Sequence, residues 1–141
     1  MLKISTYCAD SVAAHPKYTS RRFLNQSALD TIPVPPGGYD TVVQTMGLCS
    51  TSDPVGLLQR MASVTKAETG RILLLEHGRG IYDWINERLD YYAPAHAHKF
   101  GCWWNKDIEQ IIKESGLEIV GVRRYHLGTT YYYELKPKQA G

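Results

Sequence analysis

Two short apolar runs dominate the hydrophobic pattern of the chain. Residues 41–43 form a β-branched run between a Pro/Gly turn and Gly47, and residues 72–75 form a continuous apolar run before Gly78. Continuous rather than alternating apolar positions are typical of strands that are buried on both faces, as in a parallel sheet. We therefore predict two parallel strands, ending near Gln44 and Glu76, whose following loops lie side by side at one edge of the sheet.

Helical patterns separate and follow these runs. Asp53 can cap a helix over residues 54–66, in which Pro54 suits the first position because its missing N–H would be unpaired there. A second helix is predicted over residues 81–91. Asn105 can cap a third, which presents isoleucines at i, i+3 and i+4 and ends at Gly116.

The remaining elements complete an α/β pattern. Residues 117–125 and 129–135 are β-rich and predict an antiparallel hairpin, while residues 1–18 predict a helix and residues 22–25 a short strand. The order of elements predicts an α/β fold with a mostly parallel sheet. A length of 141 residues favours a single domain spanning 1–141.

Composition narrows the class of protein. The chain is 43% hydrophobic and 21% charged, which is ordinary for a globular protein, and its net charge of +2 predicts no nucleic-acid partner. Cys8, Cys49 and Cys102 form no Cys-x-x-Cys pair, which favours reduced thiols in an intracellular compartment. No apolar run approaches the roughly 20 residues of a membrane span, and Met1 opens no signal-peptide pattern.

Glu76 and His77 follow the second apolar run and are the first candidates for chemistry. A Glu-His pair at a strand end can act as general base or substrate clamp, since an imidazole takes and returns a proton near neutral pH. The alternative is that both side chains cap the neighbouring helix or bond to backbone groups. The sequence leaves both interpretations open.

The stretch from Gly101 to Asn105 contains adjacent tryptophans, Trp103 and Trp104. They can wall an apolar pocket or contact a membrane surface, or one can lie in the core with the other half exposed.

His96 and His98 suggest a metal, but side chains at i and i+2 of a helix diverge. Cys49 and Cys102 are interpreted as small buried hydrophobic residues, so no metal site is predicted.

Several stretches together resemble the class I S-adenosylmethionine-dependent methyltransferases. They are residues 39–50, Asp53-Pro54, residues 71–78, residues 101–105 and residues 128–131. The likeness is to the later two-thirds of that domain, and in particular to mitochondrial methyltransferase-like proteins of fungi. It implies a Rossmann-like sheet that lacks its first two strands and ends in an antiparallel hairpin, and it implies a mitochondrial location.

The resemblance also implies roles for particular residues. Ser27, Ala28, Leu29, Gln44, Thr45, Met46, Gly47 and Leu48 would bind S-adenosylmethionine, Trp103, Trp104 and Asn105 would face the methyl acceptor, and His77 with Glu76 would be catalytic. Two departures stand out. The family's glycine-rich segment and the acidic residue after its second strand have no counterpart here, and Ser27-Ala28 replaces the Asp-Ala of many relatives.

Three functions therefore follow as alternatives. The chain is a methyltransferase for a small acceptor that is lipid-like, a quinone or a thiol; or it is a non-catalytic remnant that binds a protein partner; or another chain supplies the missing half. A small-molecule acceptor, peripheral membrane contact and self-association through an exposed sheet edge are the expected interactions.

Overall fold

The computed structural model describes residues 32–138, which lie within the compact unit Ile32–Gly141. The elements in chain order are β1 (Thr41–Thr45), α1 (Pro54–Val64), β2 (Arg71–His77), α2 (Asp83–Phe100), α3 (Ile108–Ser115), β3 (Glu118–Tyr125) and β4 (Thr130–Lys136). The predictions for residues 1–18, for the strand at 22–25 and for Ser27, Ala28 and Leu29 lie outside the described residues.

The four strands form one sheet in the order β1-β2-β4-β3. β1 pairs with β2 in parallel, with Thr45 opposite Leu75, so the predicted pair of neighbouring parallel strands is confirmed. β4 runs antiparallel to both β2 and β3, which confirms the predicted hairpin. The described sheet is mixed, and the carboxyl ends of β1 and β2 meet at one edge.

One face of the sheet carries the core. Helices α1 and α3 pack on it, and the buried apolar cluster consists of Leu48, Leu57, Leu58, Met61, Ile72, Leu74, Ile108, Ile111, Ile112, Tyr131, Tyr133 and Leu135. The opposite face is more open, since Val43 is 66% exposed and Leu75 39% exposed. The prediction that both parallel strands are buried on two faces is therefore wrong, because the core lies on one side of them.

Helix ends follow local capping chemistry, with one correction. Asp53 accepts a hydrogen bond from the Gly56 N–H at 2.8 Å and caps α1, as predicted. Asp107, rather than Asn105, caps α3 by accepting from the Gln110 N–H at 3.0 Å. The prediction for Asn105 is wrong because its side chain instead donates to Asp90.

Helix α2 is longer than the sequence pattern predicted. It continues to Phe100, with Pro94 inside it, and ends where Gly101 adopts φ 68°. A left-handed residue at this position is the common way to stop a helix, and glycine adopts it without a steric penalty. The extension brings Cys102 and the tryptophans after it back toward the carboxyl edge of the sheet, where Trp103 bonds to the loop after β1.

Candidate functional site

The loop that follows β1 forms one wall of the site. Met46 continues the strand pairing by donating its N–H to the Leu75 carbonyl at 2.8 Å, and then turns the chain with φ 51°. The Ser50 N–H donates to the Gly47 carbonyl at 3.1 Å, which closes a tight turn. A left-handed methionine is unfavourable by itself, so the surrounding contacts must hold the loop in this shape.

Glu76 supplies those contacts. Its side chain is completely buried at the end of β2, and its carboxylate accepts hydrogen bonds from the Gly47 N–H at 3.0 Å and from the Leu48 N–H at 3.3 Å. Burial raises the pKa of Glu76, and the two backbone hydrogen bonds and the charge of Lys106 oppose that shift. The structure thus shows the backbone-bonding alternative for Glu76, while a direct catalytic role stays a prediction.

Gln44 lies against the same loop. Its Oε1 atom is buried and has no hydrogen-bond partner among the described residues. Its amide group lies so close to Gly47 that a Cβ atom at this position would require the Gln44 side chain to move. An acceptor left without a donor beside a close backbone approach fits a ligand that carries hydroxyl or ammonium groups.

Lys106 lies under this loop, and the sequence pattern did not predict its role there. Its Nζ atom donates to the Leu48 carbonyl at 2.9 Å and to the Thr51 carbonyl at 2.6 Å. Burial lowers its pKa, and the nearby Cys49, Cys102 and Glu76 side chains act in the opposite direction. A single lysine before a helix carries no sequence signal for this role, because the contact depends on the tertiary fold.

His77 ends β2 beside two cysteines. Its Nε2 atom lies 3.0 Å from the Cys102 Sγ atom, and the donor atoms of His77, Cys102 and Cys49 all lie within 4.8 Å of one another. Burial, and to a smaller extent His96, lowers the pKa of His77, so the imidazole is neutral at pH 7 and can accept a proton. Burial raises the pKa of Cys102 to about 12, which keeps this thiol protonated and a poor nucleophile.

The tryptophan segment forms a second wall. Trp103 is 47% exposed, and its N–H donates to the Cys49 carbonyl at 2.9 Å. Trp104 is half-buried, donates its ring N–H to the Leu89 carbonyl at 3.0 Å and stacks on His96 with ring centres 3.9 Å apart. Of the sequence alternatives, the structure is nearest to one half-exposed tryptophan beside a more buried one.

The structure brings most of the predicted residues to one edge of the sheet. Gln44 and Thr45 end β1 and Met46 to Leu48 follow it, Glu76 and His77 end β2, and the Trp103 backbone bonds to the loop after β1. His96 bonds through Nδ1 to the Cys102 carbonyl at 2.9 Å, and His98 is exposed on α2. The cluster of Cys49, His77 and Cys102 was not predicted, since its members are widely separated in the sequence.

A family model described as a methyltransferase domain matches residues 3–122, which is most of the chain. The chain belongs to this methyltransferase-domain family. The match bears out the resemblance seen in the sequence motifs.

One curated relative of this methyltransferase domain is the mitochondrial methyltransferase OMS1 of Saccharomyces cerevisiae. The two are 47% identical over 100 residues, which cover 71% of this chain and 21% of that protein. The chain therefore spans about a fifth of the length of the curated relative that it matches.

Solved structures place the fold in the same class. TnmH superposes with a TM-score of 0.61 at 20% identity, covering 83% of this chain and 35% of that one. LepI in complex with SAM gives a TM-score of 0.64 at 13% identity, covering 97% of this chain and 35% of that one. Identities this low show the shared class I fold alone. Among the described residues, no helix is both long enough and apolar enough to span a membrane.

Proposed function

We propose that this chain forms part of a S-adenosylmethionine-dependent methyltransferase and lines both the cofactor and the methyl acceptor. The observation that supports it is the loop after β1, which Glu76 holds beside His77 and the tryptophan segment. S-adenosylmethionine supplies an electrophilic methyl group on a sulfonium. The protein's part in such a displacement is chiefly to align donor and acceptor and to receive a proton.

Gln44 and the loop from Thr45 to Leu48 would hold the cofactor. The unpaired Gln44 Oε1 atom offers an acceptor for a ribose hydroxyl or for the ammonium of the methionine part. The Gly47 N–H donates to Glu76 at 3.0 Å, which holds this part of the loop in place. These residues fit the cofactor as one part of a site, and Ser27, Ala28 and Leu29 would add the adenine side by resemblance.

The acceptor would lie against Trp103, with Trp104 and Asn105 behind it. The half-exposed Trp103 follows Cys102, which contacts the neutral His77 imidazole, and this combination suits an apolar molecule that carries one ionisable hydroxyl or thiol. This description covers lipid-like, quinone-derived and thiol acceptors. His77 would receive the acceptor's proton, because its pKa lies below the ordinary value and the ring is neutral at physiological pH.

Calorimetric titration of the purified chain with S-adenosylmethionine tests the cofactor proposal. We expect saturable heat that Gln44→Leu weakens and that the exposed-site control Glu68→Gln leaves unchanged. The absence of heat at millimolar cofactor would contradict cofactor binding by this chain.

Turnover by a full-length relative tests the role of His77 as the base. Replacing the equivalent histidine with alanine should reduce kcat, and an unchanged kcat would disprove that role.

A mitochondrial location is supported by the mitochondrial relative. Fractionation of cells that express the complete natural protein tests it, with enrichment in mitochondria as the expected result.

A non-catalytic binding role is the second candidate, favoured by helix α2. Trp84 and Tyr91 lie two turns apart and are 55% and 78% exposed, and Tyr92, directly after Tyr91, is 56% exposed. Exposed aromatic residues on one helix suit a protein surface or the interfacial layer of a membrane. Co-sedimentation with phosphatidylcholine vesicles distinguishes these: binding lost in Trp84→Ser supports membrane contact, and no binding excludes this lipid as the partner.

A further inference from the structure

The two cysteines and the histidine at the edge of the sheet form a set of metal ligands. We propose that Cys49, His77 and Cys102 bind Zn²⁺, with the fourth coordination position taken by water or by a ligand in the cleft. Two sulfur atoms and one imidazole nitrogen, all within 4.8 Å of one another, are the donors that zinc prefers. Three protein ligands with one exchangeable position are typical of catalytic zinc sites rather than structural ones.

The observed distances are near those of a tetrahedral site. Zn–S bonds of about 2.3 Å and Zn–N bonds of about 2.0 Å would set the ligand atoms roughly 3.5–3.8 Å apart. The His77 Nε2 atom is 3.0 Å from the Cys102 Sγ atom, and no pair in the cluster exceeds 4.8 Å. Each separation therefore has to change by roughly 1 Å or less, which small rotations of the side chains can supply.

The backbone under each ligand is already fixed. Cys49 lies in the loop that Glu76 holds, and His77 is paired with Thr130 of β4 at the end of β2. Cys102 follows the glycine that ends α2, and the next N–H, from Trp103, donates to the Cys49 carbonyl at 2.9 Å. Ligands held on three fixed segments lose little conformational entropy when a metal binds.

The charges around the cluster also suit a divalent cation. Two thiolates and the Glu76 carboxylate would place three negative charges in a largely buried region. The Lys106 ammonium, which interacts electrostatically with Cys49, Cys102 and Glu76, balances one of them. A Zn²⁺ ion would balance the other two, so the metal-bound cluster would be neutral as a whole.

The metal site does not depend on the proposed methyl transfer and competes with it at one atom. The His77 Nε2 lone pair can coordinate zinc or accept a proton, and it cannot do both at once. Zinc should therefore inhibit any turnover in which His77 is the base.

Cobalt(II) titration of the reduced, anaerobic chain tests the proposal. We expect equimolar binding with a sulfur-to-cobalt charge-transfer band in the near ultraviolet and intense visible bands of a tetrahedral site, both abolished by added Zn²⁺. Cys49→Ser, Cys102→Ser and His77→Gln should each weaken zinc binding by more than the roughly 10–100-fold that loss of an outer partner costs. His98→Gln, at an exposed histidine of α2, is the matched control and should keep the spectrum.

Far-UV circular dichroism verifies that each variant folds. If a variant does not fold, the cobalt absorption spectrum of the unmodified chain still shows whether the thiolates bind the metal. Absence of a thiolate-to-cobalt band in the folded, reduced protein would overturn the site. So would a cobalt affinity that Cys102→Ser leaves unchanged, or binding of Cu⁺ without Zn²⁺ or Co²⁺. Calorimetry with S-adenosylmethionine is read separately, so a protein that binds cofactor but not cobalt disproves the zinc site alone.

Discussion

Glu76 is the residue of the described site whose replacement we expect to lower the free energy of unfolding most. Glu76→Leu keeps roughly the size of the side chain but removes both carboxylate oxygens, which accept from the Gly47 and Leu48 N–H groups. A buried donor left without a partner costs about 1–3 kcal/mol. We expect the free energy of unfolding of Glu76→Leu in urea to fall by about that amount, whereas the exposed control Glu68→Leu should change it by less than about 0.5 kcal/mol. Equal effects of the two substitutions would contradict the role of Glu76.

The same carboxyl group should also give the stability a pH dependence. Burial raises the pKa of Glu76 above its ordinary value of 4.5, so the folded state holds this proton more tightly than the unfolded state does. Its contribution is therefore fully present below pH 4.5 and is lost as the pH rises through the raised pKa. Glu76→Gln should remove this loss, which a comparison of unfolding free energies between pH 4 and pH 8 can measure; an identical slope in both proteins would contradict it.

At the scale of elements, the start of α3 separates the sequence prediction from the structure. Asp107→Ala removes the oxygen that accepts from the Gln110 N–H, and loss of an N-cap typically costs about 0.5–2 kcal/mol. Asn105→Ala removes only an exposed contact with Asp90 and should cost less than about 0.5 kcal/mol. Thermal unfolding of both variants tests the assignment, and the reverse order of stability would restore Asn105 as the cap.

The turn between β3 and β4 offers a second test on an element. His126, Leu127 and Gly128 all have positive φ, at 51°, 58° and 83°. A left-handed conformation costs an ordinary residue about 1–2 kcal/mol, and asparagine tolerates it better than leucine or a β-branched residue. The Leu127 side chain is 55% exposed, so the backbone conformation should decide the effect of a substitution. We expect Leu127→Asn to be the most stable protein, the unmodified chain to come next and Leu127→Val to be the least stable. A valine variant as stable as the asparagine variant would contradict the turn geometry.

Short sequence patterns predicted the helices and strands well, but they predicted less well which faces of the strands are buried. The β-branched run at Val42 and the apolar run at Leu74 were sufficient to predict two adjacent parallel strands, and the pairing of Val42 with Ile72 confirms it. The same runs could not reveal that one face stays open, since exposure depends on which helices pack there. Asp107 and Asn105 are both capping residues, so only the fold shows which one meets the first turn of α3.

Only part of the candidate site could be predicted from the sequence. The positions of Gln44 and Glu76 follow from the topology of parallel strands, which brings their ends to one edge. The contacts of Lys106 and the grouping of Cys49 with Cys102 involve residues more than 50 positions apart, and no spacing rule links them. Chemistry that depends on such long-range contacts becomes visible only when the chain is folded.

At the scale of the whole molecule, the uneven covering of the sheet has a consequence for association. Val43, Leu75 and Tyr132 share the open face and are 66%, 39% and 37% exposed, and β1 is the terminal strand of the described sheet. An apolar edge strand favours pairing with a second copy of the chain, which a charged side chain at the edge prevents.

Val43→Lys should therefore reduce self-association of the purified chain. Because the residue is already 66% exposed, the free energy of unfolding should change by less than about 0.5 kcal/mol. Sedimentation velocity over a range of concentrations measures the effect, and Val34→Lys, at an exposed valine outside the sheet, is the matched control. Association that persists in Val43→Lys, or that Val34→Lys removes equally, would place the contact elsewhere than on β1.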